Sequence, residues 1–171
     1  MNVKFLNPFV DAAFEVLKAE TGVSLKRGEL SLEKSAYQTD DVTVIIALVG
    51  GVEGTIFYSM SSDTAVGLAS KIIGEELGAF NSLAQSGVAE LGNVITGRAS
   101  VKLSEAGFEA TISPPTLLLG KGATISTLDF PRLVVPLLSE CGTVMVHLAL
   151  REGSSQGKNT AQIPVPPRPS I

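Results

Sequence analysis

The sequence predicts an α+β domain: antiparallel strands form one large sheet, long helices pack on it, and the layout is an internal helix-strand duplication. Three observations predict it. Two helical segments each close at a glycine, Gly22 and Gly107. Two apolar, β-branched hairpins lie downstream of them, Val42 to Met60 and Arg132 to Leu150. The order also repeats: helix, strand, hairpin, and then helix, strand, broken pieces, hairpin. Asn7 stands 15 residues before Gly22 and Asn93 stands 14 before Gly107, so the likeness is one of pattern, not of residues.

Each element has a local reason. Asn7-Pro8 reads as the N-cap and first position of helix one. Phe9, Ala12, Ala13, Val16 and Leu17 give that helix its core stripe, and Gly22 ends it. Ser24 to Lys34 alternates like a strand. Val42 to Val49 reads as a buried strand, Gly50-Gly51 as a hairpin turn and Val52 to Met60 as the return, with Gly54 marking a bulge. Ser61-Ser62-Asp63 caps a short helix, Thr64 to Ile73, ending at Gly74. A long helix runs from about Ala84 to Glu105. Three short strand pieces follow, Glu109 to Ser113, Thr116 to Leu119 and Ala123 to Thr127, split by Pro114-Pro115 and Gly120-Lys121-Gly122. Arg132 to Glu140 and Thr143 to Leu150 form a last hairpin turning at Cys141-Gly142, with Pro131 and Pro136 pushing its first strand toward an edge or a bend. Residues 1–152 form the domain. Residues 153–171, rich in Ser, Gly and Pro, read as a flexible tail.

Composition narrows the function classes. With 171 residues, 44% hydrophobic and 18% charged, the chain can build one real core. The net charge of -4 and the lack of basic clusters argue against nucleic acid and acidic lipid. No apolar run nears the roughly 20 residues of a membrane helix, and the opening Met1 to Phe5 does not read as a secretory signal. One cysteine, Cys141, leaves no internal disulfide, which suits the cytoplasm.

The long helix holds the unusual feature. On a helical wheel Ala84, Val88, Leu91, Ile95 and Ala99 form an ordinary core stripe. Opposite them lie Ser86, Glu90, Asn93, Gly97, Ser100 and Ser104, with no Lys or Arg among them. Glu90 and Asn93 are three apart, so their side chains stand together on the helix surface. Gly97, one turn on, serves either helix packing or clearance for a partner.

Ser86-x-x-x-Glu90-x-x-Asn93, followed by Pro115, resembles the active-site pattern of the CheC/CheX family of chemotaxis phosphatases. That pattern is an Asp or Ser, three residues, a Glu, two residues, an Asn and a proline about 22 residues on; here 21 residues intervene before Pro115. The opening Asn7-Pro8-Phe9 and the run Glu-Leu-Gly-Asn-Val-Ile-Thr-Gly carry the same resemblance. Two-motif members hold a Glu and an Asn on both equivalent helices, whereas CheX-type members hold one pair. Read as the counterpart of Asn93, Asn7 has Lys4 where the acid would stand, which fits a single-site, CheX-like chain.

The resemblance implies a hydrolase of the aspartyl phosphate on a CheY-like response regulator, in the cytoplasm and as a homodimer. It implies Glu90 and Asn93 as the catalytic pair, with Ser86, Gly97 and Pro115 meeting the partner. Asn93 would orient the attacking water, and Glu90 would pair with the regulator's active-site lysine. The enzyme needs no metal or cofactor of its own, and Mg2+ is expected on the phosphorylated partner. The alternative is a non-catalytic CheX-like docking or adaptor module for a receiver domain or a flagellar or chemotaxis component. Other polar residues read plainly: His147 as a strand residue with a satisfied hydrogen bond, Cys141 as inert, and Asp40-Asp41 and Glu75-Glu76 as solvated loops.

Overall fold

The structure is a computed structural model that describes residues 3–34, 36–128 and 130–154. Most of the expected tail, 155–171, lies outside the described residues. A 3-10 turn, Val3–Phe5, leads straight into α1 (Leu6–Thr21), which closes on Gly22 at φ 69° with its N–H bonded to Lys18 O. Asn7 is therefore not the N-cap. It sits exposed inside the first turn, because the burial of Phe5 and Leu6 draws the helix start earlier. Pro8 is tolerated there because first-turn N–H groups have no intrahelical acceptor.

Strands β1 (Lys26–Arg27), β2 (Ser31–Glu33) and β3 (Tyr37–Gln38) precede the hairpin of β4 (Val42–Gly50) and β5 (Val52–Met60). α2 (Ser62–Ile73) is capped by Ser61, whose Oγ accepts from Thr64 N at 3.2 Å. α3 (Ser82–Glu105) starts two residues before the expected Ala84, because Asn81 Oδ1 accepts from Ala84 N at 2.9 Å. β6 (Ala110–Ile112), β7 (Thr116–Leu119) and β8 (Thr124–Ile125) follow. β9 (Arg132–Ser139) and β10 (Gly142–Glu152) come next and turn at Glu140-Cys141, one residue before the expected position.

Among the described residues, eight strands form one antiparallel sheet in the order β1-β9-β10-β5-β4-β6, with β2 also on β9 and β7 also on β4; β3 and β8 form a separate ribbon. The duplication is visible here. Each half supplies a hairpin, and β5 and β10 meet at the centre. The broken strands of each half pair with the hairpin of the other: β1 and β2 on β9, β6 and β7 on β4. The expected single strand Ser24 to Lys34 is split. Pro136, inside β9 and not at an edge, has no N–H for its neighbour, and only Gly28 N reaches Pro136 O, at 2.8 Å. Gly54 is not a bulge either, since its pairings with Leu48 and Leu150 continue an unbroken register. Its φ of 140° and close approach to the next strand need glycine: a Cβ there would stand 2.0 Å from Ala149 O.

One sheet face, with Val44, Ile46, Ile56, Tyr58, Val146 and Leu148, packs under α1 and α3. On the other face Arg132 is fully buried. Its Nη2 donates to Glu33 Oε2 at 2.8 Å and its Nε to His147 Nδ1 at 3.3 Å, while Tyr37 stacks on His147 with ring centroids 4.2 Å apart. An arginine always donates, so His147 presents an unprotonated Nδ1. Burial, with Arg132 beside it, pushes the His147 pKa down to about 4 from its ordinary 6.5.

Two outcomes follow from this packing. Gly54→Ala should lower stability by about 3 kcal/mol or more, read from urea denaturation, since a Cβ on a carbonyl oxygen forces the central strands apart. Between pH 6.5 and about 4 the unfolded chain binds a proton at His147 that the folded chain refuses. Stability should therefore fall as pH drops through that window. His147→Gln should flatten that slope in denaturation curves taken at pH 7, 5.5 and 4; an unchanged slope would refute the assignment.

Candidate functional site

The geometry of the site is set by how α3 sits on the sheet. All five residues of the expected core stripe are buried, and Gly92, Thr96 and Leu103 are buried with them. Gly92 lets the helix touch the sheet: a Cβ there would lie 2.9 Å from Val44 Cγ1 and 3.3 Å from Tyr58 Cδ2. Thr96 Oγ1 donates to Gly92 O at 2.8 Å and accepts from the buried Tyr58 hydroxyl at 2.8 Å. This polar contact inside an apolar layer fixes the rotation of α3 about its axis. The apolar stripe alone does not reveal Gly92, Thr96 and Tyr58 as positioning residues. The signal was present, since Gly92 and Thr96 are four apart and fall beside that stripe on the wheel.

With that rotation, Ser86 and Glu90 are exposed and Asn93 is half-buried on the opposite side. Among the described residues, the side chains of Glu90 and Asn93 make no hydrogen bond or ion pair. The cations of α3 are engaged elsewhere: Arg98 Nε and Lys102 Nζ hold Glu15 of α1 at 2.9 and 2.7 Å, and their hydrogen bonds hold the Glu15 carboxyl below its ordinary range. The expected polar stripe therefore divides in two. Its N-terminal part, Ser86, Glu90 and Asn93, is unpartnered. Its C-terminal part borders β6: Ser100 Oγ donates to Ala110 O at 2.9 Å, and Gly97 faces Ile112.

Ser86, Glu90, Asn93 and Gly97 share one helix face. Pro115 stands off the helix, half-buried at the entry to β7, on the link between two strands that both contact α3. Phe5 of the 3-10 turn and Leu6, Phe9, Ala13 and Leu17 of α1 repeat the burial of Leu91, Gly92, Ile95, Ala99 and Leu103 on α3. That register sets Asn7 of α1 against Asn93, and Lys4 of the preceding 3-10 turn against Glu90, so the amide recurs and a base stands at the acid's position.

The remaining polar candidates have structural roles. His147 has the hydrogen bond expected of it. Cys141 lies in the last turn, and burial together with Glu140 pushes its thiol pKa up, away from reactivity. Asp41 is more than a solvated loop residue, since its Oδ2 accepts from Ser62 N at 2.8 Å at the start of α2. Among the described residues no cluster of three or more His, Cys, Asp or Glu is placed to hold a metal.

The two glycines of α3 separate seating from clearance. A Cβ at Gly97 would meet only Ile112 Cδ1, at 3.8 Å, an ordinary contact. Gly97→Ala should therefore leave thermal stability unchanged or raise it by up to about 1 kcal/mol through helix propensity. Gly92→Ala should lower it by about 1–3 kcal/mol through overpacking against Val44 and Tyr58. Equal losses in thermal melts would mean that Gly97 too is a packing glycine.

Comparison with known proteins places the chain among chemotaxis proteins. The family described as chemotaxis phosphatase CheX matches residues 42–138. The curated CheY-P phosphatase CheX of Thermotoga maritima is 28% identical over 155 residues, covering 90% of this chain and 99% of that protein. A CheC-like superfamily protein from Shewanella sp. PV-4 superposes with a TM-score of 0.80 at 30% identity, covering 88% of this chain and 99% of that one. CheX of Borrelia burgdorferi, solved as a complex with CheY, BeF3 and Mg2+, superposes with a TM-score of 0.74 at 32% identity, covering 88% of this chain and all of that one. On the match to its sequence profile, supported by these relatives, the chain belongs to the CheX family of chemotaxis phosphatases.

Proposed function

We propose that this protein hydrolyses the aspartyl phosphate of a CheY-like response regulator, with Asn93 and Glu90 as its working residues. The observation that carries the reading is the unpartnered Glu90–Asn93 pair, held outward on a helix whose rotation is locked by Thr96 and Tyr58. An acyl phosphate is already labile, so a catalyst gains most by placing a water in line with phosphorus. The Asn93 amide oxygen accepts a hydrogen bond from that water, and its NH2 donates to a phosphoryl oxygen. Water oxygen bonds to phosphorus, the bond from phosphorus to the acyl oxygen breaks, and orthophosphate and the free aspartate carboxylate leave. Glu90 docks against the lysine of the receiver's active site and sets the register of the helix. Mg2+ belongs to the receiver in this reading. Ser86 and Gly97 border the contact on α3, and Pro115 borders it from the β6–β7 link.

The same reading places the protein in the cytoplasm, and among the described residues no helix is long and apolar enough to cross a membrane. It makes residues 1–152 the working domain. It also makes the protein a homodimer, for which the open sheet edges at β1–β2 and β6–β7 offer strand pairing.

The direct test is the lifetime of phosphoaspartate on a Mg2+-loaded CheY-like regulator from the same organism. The wild type should shorten it. Asn93→Ala should lose about a hundredfold in kcat, the scale set by removing one preorganised hydrogen-bonding group. Glu90→Lys should raise KM about tenfold or more by setting like charges together. Equal decay with and without the wild type would refute the enzyme and leave a docking module; acceleration that survives Asn93→Ala would move the site elsewhere.

A further inference from the structure

Among the described residues, eight large hydrophobic side chains are exposed, and only two of them lie on helices: Leu83 and Val101, each 48% exposed and both on α3. At about 100° per residue, Leu83, Glu90, Gly97 and Val101 fall within about 40° of one another on the wheel. The two exposed apolar side chains of the helix therefore share a line with the unpartnered carboxylate and the open glycine. At about 1.5 Å per residue, Leu83 stands about 10 Å before Glu90 along the axis and Val101 about 16 Å after it. Neither side chain is needed for the core, since α3 is seated by its opposite face through Gly92 and Thr96.

We infer that Leu83 and Val101 are the two apolar anchors of a docking strip on α3, and that they determine which phosphorylated receiver this protein accepts. The inference rests on the reading of Glu90 and Asn93 given above. Its occupant is the receiver itself, presenting its metal-bound acyl phosphate to Asn93 and its lysine to Glu90. Apolar side chains on either side of that site would cover Leu83 and Val101. In this reading the carboxylate and amide meet the lysine and acyl phosphate that define the reaction, so they carry little information about the partner. The two anchors sit beyond the reacting atoms, where receivers of equal chemistry differ in surface. A polar centre between two apolar ends also suits a transient interface: the ends exclude water from the centre, and the contact stays short enough to release product.

The experiment uses the full chain, a receiver from the same organism loaded with beryllofluoride and Mg2+ for binding, and the same receiver phosphorylated for turnover. Leu83→Gln and Val101→Gln are chosen because Gln is a good helix former and adds no charge. Each should weaken binding, and raise KM, about fivefold to tenfold with kcat within about twofold, the scale of an interface side chain worth roughly 1 kcal/mol or more. Asn93→Ala should show the converse, a fall in kcat with little change in binding. Unchanged binding in both Gln variants, with an active wild type, overturns the strip and leaves the phosphatase intact. A wild type that binds but does not hydrolyse overturns the phosphatase, and the variants' dissociation constants still decide the strip. A wild type that does not bind the receiver overturns both. If the Gln variants change the sedimentation of the free protein and not its affinity for the receiver, the strip's occupant is a second copy of this chain and the inference fails.

Discussion

The contact on which the site depends is the one between the middle of α3 and the centre of the sheet. Gly92 has no side chain, so Val44 and Tyr58 come up against the helix backbone. One turn later Thr96 closes a bridge between Gly92 O and the Tyr58 hydroxyl. Buried polar groups with no partner destabilise a fold, whereas satisfied ones admit few alternative geometries. A rotation of α3 by one residue would break the Tyr58 bond and drive a helical Cβ into Val44. The outward direction of Glu90 and Asn93 is therefore a consequence of what lies on the opposite side of the helix.

That seating matters because in the proposed chemistry the enzyme forms no covalent bond with the substrate. A catalyst that only orients water loses its advantage if the orienting amide wanders, since the gain lies in freedom already given up before the substrate arrives. A helix held by the sheet below, by α1 at Glu15 and by β6 at Ser100 presents Asn93 on a rigid element.

The duplicated architecture places two helices on one sheet, and the proposed site uses only one of them. The two halves exchange their broken strands, so each helix lies over a sheet built from both. The buried positions Leu6, Phe9, Ala13 and Leu17 of α1 match Gly92, Ile95, Ala99 and Leu103 of α3, yet the outer faces of the two helices differ. Lys4 stands where Glu90 would be, and a cation there would repel the lysine that Glu90 is proposed to meet. Selection on the core preserves the burial pattern in both helices, while the exposed positions are free to specialise in one.

Periodicity and punctuation determined much of this protein from the sequence alone: three of its helices, both hairpins, the short pieces after Gly107, the α+β class and the face shared by Ser86, Glu90, Asn93 and Gly97. These depend on local spacing, which a chain carries wherever it folds. Tertiary structure decided the rest. Asn7-Pro8 has a capping signature, but the burial of Phe5 and Leu6 outweighed it. The strand expected from Ser24 to Lys34 broke at Gly28 because Pro136, more than a hundred residues away, withholds an N–H from it. Gly54 looked like a bulge and is instead a crossing point under Ala149 O. Ser100 looked like part of a docking face and is instead a tie to β6. In each of these cases the deciding group lies across the fold or in the core, where pairing and burial outweigh local preference.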